Sequence, residues 1–137
     1  MKKKIVSSII LFKKSSVLMQ LRDKKRYLTH ANTWVFPGGH KNKNESVKHA
    51  ALREFQEETN YKCKSIKYLM SIDLTIFKER PTLIHYFISH FKPGQKIICN
   101  EGQKLKFISL KQMSKLKMPN YLYLLIRLLA NIPKQKD

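Results

Sequence analysis

Three glutamates, Glu54, Glu57 and Glu58, stand close together in a chain of 137 residues that has only nine acidic residues and a formal net charge of +19. If Ser46 to Thr59 is a helix, they occupy positions i, i+3 and i+4, and their carboxylates share one face. Like charges on one face repel each other unless a cation lies among them. Carboxylate oxygens suit Mg²⁺ or Mn²⁺ better than Zn²⁺. The spacing therefore predicts a divalent metal site, with Mg²⁺ (or Mn²⁺) as its ion.

The helix that would carry these glutamates has marked ends and a marked apolar face. Ser46 precedes the first residue of the apolar pattern and is a candidate N-cap. Val47, Ala51 and Phe55 are spaced by four and predict the stripe that packs on a core. Asn60 is placed to end the helix in the left-handed conformation, where asparagine is the usual substitute for glycine. We expect one helix both to anchor itself and to present the carboxylates.

The residues beside the cluster predict how the site is held. Pro37-Gly38-Gly39 follows an apolar stretch and reads as a turn, because its glycines permit positive φ values that bring carbonyl oxygens close to an ion or a phosphate. Arg53 adjoins the glutamates. Its guanidinium can hold a neighbouring carboxylate by two hydrogen bonds and so fix the orientation of a ligand or a base.

This window resembles the Nudix box: Gly, five residues, Glu, seven residues, then Arg-Glu-apolar-any-Glu-Glu-any-Gly-apolar. Only the last glycine departs from the pattern, replaced by Asn60, which tolerates the same backbone region. Six charged or glycine identities at fixed spacing arise by chance at a given position with odds on the order of one in ten million or less. The matching residues are Gly39, Glu45, Arg53, Glu54, Phe55, Glu57, Glu58 and Tyr61.

The resemblance implies a single Nudix hydrolase domain over residues 1–137, folded as an α/β/α sandwich around a mixed β-sheet. It also implies Mg²⁺-dependent cleavage of a pyrophosphate linkage. Glu57 and Glu58 would be metal ligands, helped by the carbonyl of Gly38 or Gly39. Glu54 would be a ligand or the general base, and Arg53 would support catalysis. Some Nudix enzymes take the base from a glutamate outside the box, and Glu101 is the candidate here. The sequence Asn100-Glu101-Gly102 is also typical of a turn, so Glu101 is equally well interpreted as a solvated turn residue.

The short chain and the stretch Leu18-Met19-Gln20-Leu21-Arg22 resemble the MutT-type branch, which hydrolyses nucleoside triphosphates, including oxidised ones, to monophosphate and pyrophosphate. Nucleoside diphosphate sugars, ADP-ribose and the 5′ end of RNA stay open as alternatives. So does a non-catalytic module that only binds nucleotide or RNA, although all three clustered glutamates are present, which favours an enzyme. Arg22, Trp34 and Phe36 are candidate substrate-binding residues, while aromatic residues in a strand more often belong to the core.

The positive charge is open to two interpretations. It suits a nucleic-acid partner, but the lysines look scattered along the sequence and no basic motif interleaved with aromatic residues occurs. We therefore favour a general field that attracts small anionic nucleotides, with the basic loop Lys24-Lys25-Arg26 assisting capture. The oligomeric state stays open, and a homodimer is one option.

The remaining pattern predicts one domain of strands and two helices. No apolar run approaches the ~20 residues that span a bilayer. Two cysteines without metal spacing suit a reducing compartment, so we expect a cytoplasmic protein with no membrane partner. Strands are predicted at residues 5–12 and 17–22 as a hairpin, within 64–77, at 82–91 and at 105–108, and a second helix is predicted at 120–130.

Overall fold

A computed structural model of the chain describes residues 2–24 and 31–132. The loop residues Lys25 and Arg26, named above for substrate capture, lie outside the described residues. The described part contains seven strands and three helices, whose bounds are β1 Lys4–Lys13, β2 Ser16–Leu21, β3 Trp34–Val35, β4 Gly38–His40, α1 Val47–Thr59, β5 Lys67–Asp73, β6 Thr82–His90, β7 Lys104–Ser109, α2 Leu110–Met113 and α3 Asn120–Leu129.

The strands form one mixed sheet in the order β3-β2-β1-β6-β5, with β4 paired to β1 and β7 paired to β2. β1 and β6 are parallel, whereas the other pairs are antiparallel. The predicted hairpin of β1 and β2 is present, but its register covers only Phe12↔Val17 and Lys13↔Ser16. Further back along β1, its edge is taken by β4.

Helices cover both faces of this sheet. On one face α1 packs its fully buried Phe55 against Ile9 and Leu11 of β1. On the other face α3 buries Leu122 and Leu125 in a second cluster. The predicted α/β/α sandwich with a mixed sheet is confirmed. Among the described residues, no helix is both long and apolar enough to cross a membrane.

Two short elements differ from the sequence-based expectation. Pro37-Gly38-Gly39 was predicted to be a turn, but Gly38–His40 is a strand that pairs with β1. Glycine is a poor strand former, so this strand exists because β1 offers it a partner. Likewise Leu110–Met113 forms one helical turn after β7; Ser109 occupies its N-cap position without a side-chain hydrogen bond.

The ends of α1 are those that the sequence predicts. The Ser46 hydroxyl accepts a hydrogen bond from the backbone N–H of His49 at 3.0 Å. Ala51 and Phe55 are fully buried. Asn60 adopts the left-handed conformation, with φ 63° and ψ 8°, and its N–H donates to the Gln56 carbonyl at 2.9 Å. The helix therefore ends at Thr59, directly after Glu58, the last of the three clustered glutamates.

This helix end gives a direct test. We expect Asn60→Gly to change the free energy of unfolding by less than about 0.5 kcal/mol, because both residues tolerate positive φ. Asn60→Val is expected to destabilise the protein by about 1 kcal/mol or more, because a β-branched side chain clashes in that conformation. Urea unfolding of the two variants beside the parent measures both effects. Equal midpoints for the glycine and valine variants would contradict a left-handed residue at this position.

Candidate active site

The site begins where β4 passes beneath α1. Register places Gly39 opposite Ser7 and Gly38 opposite Ser8. Neither glycine has positive φ, so the predicted reason for glycine here was wrong. The reason is space: a Cβ on Gly38 would overlap the Ser7 carbonyl and the Ser8 side chain, and a Cβ on Gly39 would overlap the carboxylate of Glu54. The two glycines let a strand backbone approach the glutamates directly.

Arg53 joins the carboxylates into one network. Its Nη1 donates to Glu54 at 3.0 Å and more weakly to Glu57 at 3.3 Å. Its Nη2 donates to the His40 carbonyl at 3.0 Å, which ties α1 to β4. The predicted two-point grip is made on Glu45, with Nε donating to Oε2 at 2.7 Å and Nη2 donating to Oε1 at 2.8 Å. The guanidinium is thus fixed at four places.

Glu45 matches the box pattern, and the structure gives it a role in holding Arg53 that was not predicted from the sequence. Its side chain is nearly buried and also accepts from the backbone N–H of Asn42 at 3.0 Å, and it contacts His49 Nδ1 at 2.8 Å. The hydrogen bonds from Arg53 and Asn42 hold the pKa of Glu45 far below its ordinary value. Glu45 therefore stays ionised and orients Arg53. The feature of the sequence that could have indicated this role is the fixed position of Glu45 in the box pattern.

Glu58 is buried, with a relative exposure of 5%, and its Oε2 accepts a hydrogen bond from the Gly38 N–H at 2.8 Å. Burial and the neighbouring charges of Glu101 and Glu54 raise the pKa of Glu58 to about 9, despite that hydrogen bond. The loop that carries Glu101 is fastened nearby, since the Asn100 N–H donates to the Glu58 carbonyl at 3.0 Å. The structure thus brings Glu101 to the box glutamates, although it is distant in sequence.

The acid cluster has the chemistry of a divalent-cation site, but its side chains are turned elsewhere. Within residues 2–24 and 31–132, no group of three or more His, Cys, Asp or Glu side chains is arranged to hold a metal ion. Glu54 and Glu57 point to Arg53, and Glu58 points to Gly38. Glu57 is 59% exposed and weakly held, so it can turn. Burial raises the pKa of Glu58 most, and the charges of Glu101 and Glu54 raise it further; a divalent cation would favour the ionised carboxylate.

The Glu58 carboxyl predicts how stability varies with pH in the metal-free protein. Its folded pKa of about 9 lies above the ordinary 4.5, so the folded state keeps a proton that the unfolded state loses. Its favourable contribution is complete below about pH 4.5 and is lost as the pH rises toward 9. In EDTA, we expect Glu58→Gln to melt at the parent's temperature at pH 5 and above it at pH 9. If the difference in melting temperature between Glu58→Gln and the parent were the same at pH 5 and at pH 9, a buried carboxyl with a raised pKa at position 58 would be contradicted.

The three candidate substrate-binding residues differ in placement. Phe36 is 5% exposed and packs edge-on to Tyr86 at 6.1 Å between ring centroids, so its ring is occupied by the core. Trp34 is half-buried, and its backbone N–H donates to the Lys117 carbonyl at 2.9 Å. Arg22 has a buried Nε without a hydrogen-bond partner among the described residues, and its charge lies near Tyr121. Arg22 and Trp34 are partly exposed, whereas Phe36 is not.

Comparison with known proteins shows the family of this chain. A NUDIX domain family model matches residues 1–129. The chain is 33% identical over 75 residues to the 8-oxo-dGTP diphosphatase of Buchnera aphidicola subsp. Acyrthosiphon pisum (strain APS); the match takes in 51% of this chain and 60% of that relative, which is less than two thirds of its length.

Solved structures share the fold at low sequence identity. A MutT structure from work on the Aliivibrio salmonicida and Vibrio cholerae proteins has a TM-score of 0.75 at 18% identity, covering 92% of this chain and 95% of that one. The NUDIX domain of Shewanella oneidensis NrtR, complexed with ADP ribose, has a TM-score of 0.75 at 16% identity, covering 93% and 86%. Likeness at these identities concerns the fold alone. With the family match over residues 1–129, the chain belongs to the NUDIX domain family.

Proposed function

We propose that this protein hydrolyses the pyrophosphate linkage of a nucleoside triphosphate, with oxidised nucleotides included, and releases nucleoside monophosphate and pyrophosphate. The observation that carries the proposal is the gathering of Glu54 and Glu58 at a two-glycine strand. Glu101 lies beside Glu58, and Glu57 shares the Arg53 guanidinium with Glu54. Such a cluster, within a fold of this family, suits chemistry on phosphate groups. The Buchnera relative, an 8-oxo-dGTP diphosphatase, supports the choice of nucleotide.

The residues at the site fit Mg²⁺ (or Mn²⁺) as cofactor. Glu57 and Glu58 would be its ligands, with the carbonyl of Gly38 or Gly39, and Glu54 would be a further ligand or the base. When bound, the ion would neutralise phosphate oxygens and favour deprotonation of the attacking water. Arg53 keeps Glu54 in place and compensates its charge.

The proton of the attacking water needs an acceptor from this chain. Glu54 is the better-placed carboxylate, since its side chain is 18% exposed and is held between Arg53 and Gly39. Glu101 is more exposed but lies beside Glu58, and the Gln20 amide donates to its carbonyl at 2.9 Å. As water attacks phosphorus and the bridging P–O bond breaks, the chosen carboxylate takes up the proton.

Arg22 and Trp34 are the proposed substrate contacts. Arg22 is partly exposed, and its guanidinium can donate to a phosphate or to a base edge. Trp34 is half-exposed and lies close to Arg22 along the sheet, because β3 pairs Trp34 with Leu21, the residue before Arg22. The net charge of +19 adds a general attraction for anionic nucleotides.

Product analysis with a panel of nucleotides tests the proposal. The panel contains dGTP, 8-oxo-dGTP, ATP, ADP-ribose and a nucleoside diphosphate sugar, each with Mg²⁺, with Mn²⁺ and with EDTA. We expect metal-dependent formation of monophosphate and pyrophosphate from a triphosphate. Preferred cleavage of ADP-ribose would move the assignment to the alternative that the ADP ribose complex of the NrtR domain favours. No turnover of any nucleotide, with tight binding of one, would indicate a binding module.

A further inference from the structure

A second feature lies outside the carboxylate cluster: an open concavity of about 500 Å³ with an unusual lining. Five of its seven lining residues are lysines. Lys and Arg together make up 28 of 137 residues, or about one in five, so the enrichment exceeds what composition supplies. We call this concavity the basic cleft. Its lysines, with one histidine, are Lys2, Lys3, Lys4, His40, Lys41 and Lys43.

Pairing of two strands builds the basic cleft from distant parts of the sequence. β1 and β4 run antiparallel with Val6 opposite His40. Beyond that pair, the Lys41 N–H donates to the Ile5 carbonyl at 2.9 Å. The lysines at the start of β1 therefore meet those that follow β4. The expectation of scattered lysines was wrong for these five, because pairing of β4 with β1 was not visible in the sequence.

The basic cleft adjoins the candidate active site. β4 presents Gly39 to the carboxylate of Glu54, and the next residue, His40, lines the cleft. The carbonyl of His40 also accepts a hydrogen bond from Arg53 at 3.0 Å. A ligand whose phosphates lie at the glutamates can thus extend into the basic cleft, because only the step from Gly39 to His40 separates the two sites.

The charges of the basic cleft are not neutralised by ion pairs. Among the described residues, no salt bridge joins any of its five lysines to an acid. The Lys41 ammonium donates to the carbonyls of Asn42 at 3.0 Å and Lys43 at 3.4 Å, which are neutral acceptors and not anions. Two hydrogen bonds from Thr75 lower the pKa of Asp73, and the positive charge of Lys3 lowers it further. Within the described part of the chain, Asp73 nevertheless forms no salt bridge with Lys3. An excess of positive charge remains.

We propose that the basic cleft binds the phosphodiester backbone of single-stranded nucleic acid, independently of divalent metal. Lysines attract phosphates as point charges and read no base. None of the seven lining residues is a Phe, Tyr or Trp, so the cleft offers no stacking platform for bases. Binding is therefore sequence-independent and strongly dependent on salt, and a bound strand lies across the entrance to the carboxylates.

Fluorescence anisotropy with a labelled single-stranded oligonucleotide bearing a 5′-hydroxyl, in EDTA, tests this proposal. EDTA removes the metal-held contribution, so the result does not depend on the proposed hydrolysis. Five phosphate contacts give a slope of log affinity against log salt of about −3.5, which is a loss of about 130-fold between 50 and 200 mM salt. With Lys41→Gln and Lys43→Gln combined, the slope is expected near −2.1, a loss of about 18-fold.

A variant of equal charge supplies the control. Lys111→Gln combined with Lys115→Gln removes two exposed lysines in and just after α2. The Leu110 N–H donates to the Ser15 carbonyl in the turn after β1, so α2 lies at the opposite end of β1 from the basic cleft. We expect this control to keep the parent's slope. Equal weakening by both double variants would show a diffuse charge effect and overturn the proposal, as would a slope near zero for the parent. Circular dichroism melting of both variants checks that each is folded.

Blocking of the entrance gives a second readout. An oligonucleotide that occupies the cleft is expected to inhibit turnover of a small nucleotide over the same concentration range in which it binds. The Lys41→Gln and Lys43→Gln variant should lose inhibition in step with binding while it still turns over the nucleotide. Inhibition unchanged in that variant would place the oligonucleotide elsewhere and overturn the proposal. A 5′-triphosphorylated oligonucleotide that is itself cleaved supports the continuity of cleft and carboxylates.

Discussion

Glu57→Gln is expected to lower kcat by about 10²–10³-fold at saturating nucleotide and Mg²⁺, because it removes a proposed ligand of the ion that neutralises the phosphate oxygens. The fold should survive. Glu57 is 59% exposed, and its hydrogen bonds from Arg53, at 3.3 and 3.4 Å, are weak. We expect the free energy of unfolding to stay within about 0.5 kcal/mol of the parent. Steady-state kinetics and urea unfolding of the same preparation measure both quantities.

The control for this variant is Glu79→Gln, which makes the same change of charge at an exposed loop position. It should keep the parent's kcat. Mg²⁺ titration adds a second readout, because loss of a ligand raises the Mg²⁺ concentration needed for half-maximal rate, whereas a general loss of folded protein does not. Full turnover by Glu57→Gln at saturating Mg²⁺ would remove Glu57 from the metal site.

The sequence was most informative where local chemistry alone determines structure. Ser46 and Asn60 mark the ends of α1 because capping is decided within a few residues of the chain. Ala51 and Phe55 mark its buried face because the helical period fixes which side chains align. The parallel neighbours β1 and β6 were each predicted as strands from their apolar residues, although their pairing was not.

Pairing between distant segments explains what the sequence did not reveal. β4 is a strand only because β1 lies beside it, and its glycines are required by the close approach of Ser7, Ser8 and Glu54. The same pairing gathers the lysines of the basic cleft. The proximity of Glu101 to Glu58 likewise depends on a loop packed along the end of α1. Each case needs the fold before the contact can be seen.

Packing also distinguishes the two aromatic candidates for substrate binding, Trp34 and Phe36. Phe36 and Trp34 stand two residues apart beside the box and looked equivalent as base contacts. In the structure Phe36 belongs to the core cluster, whereas Trp34 only packs against its edge. Exposure of an aromatic residue in a short strand depends on what lies above it, and neighbouring sequence carries little information about that.

The choice between Glu54 and Glu101 as proton acceptor can be decided by a pair of variants. We expect Glu54→Gln to lower kcat by about 10²–10⁴-fold, the usual contribution of a positioned base. Glu54 is held by Arg53 at 3.0 Å and packed on Gly39, so its carboxylate is positioned before substrate binds. Glu101→Gln is expected to stay within about threefold of the parent, because Glu101 is exposed in a turn that ends at Gly102, with φ 83°.

Mg²⁺ dependence and pH then separate the two roles left open for Glu54. If Glu54 is the base, excess Mg²⁺ does not restore the rate of Glu54→Gln, and kcat no longer declines at acidic pH, since the glutamine that replaces the base does not titrate. If it is a ligand, high Mg²⁺ restores part of the rate and the acidic decline persists. Loss of activity in Glu101→Gln, with near-normal turnover by Glu54→Gln, would instead assign the proton to Glu101.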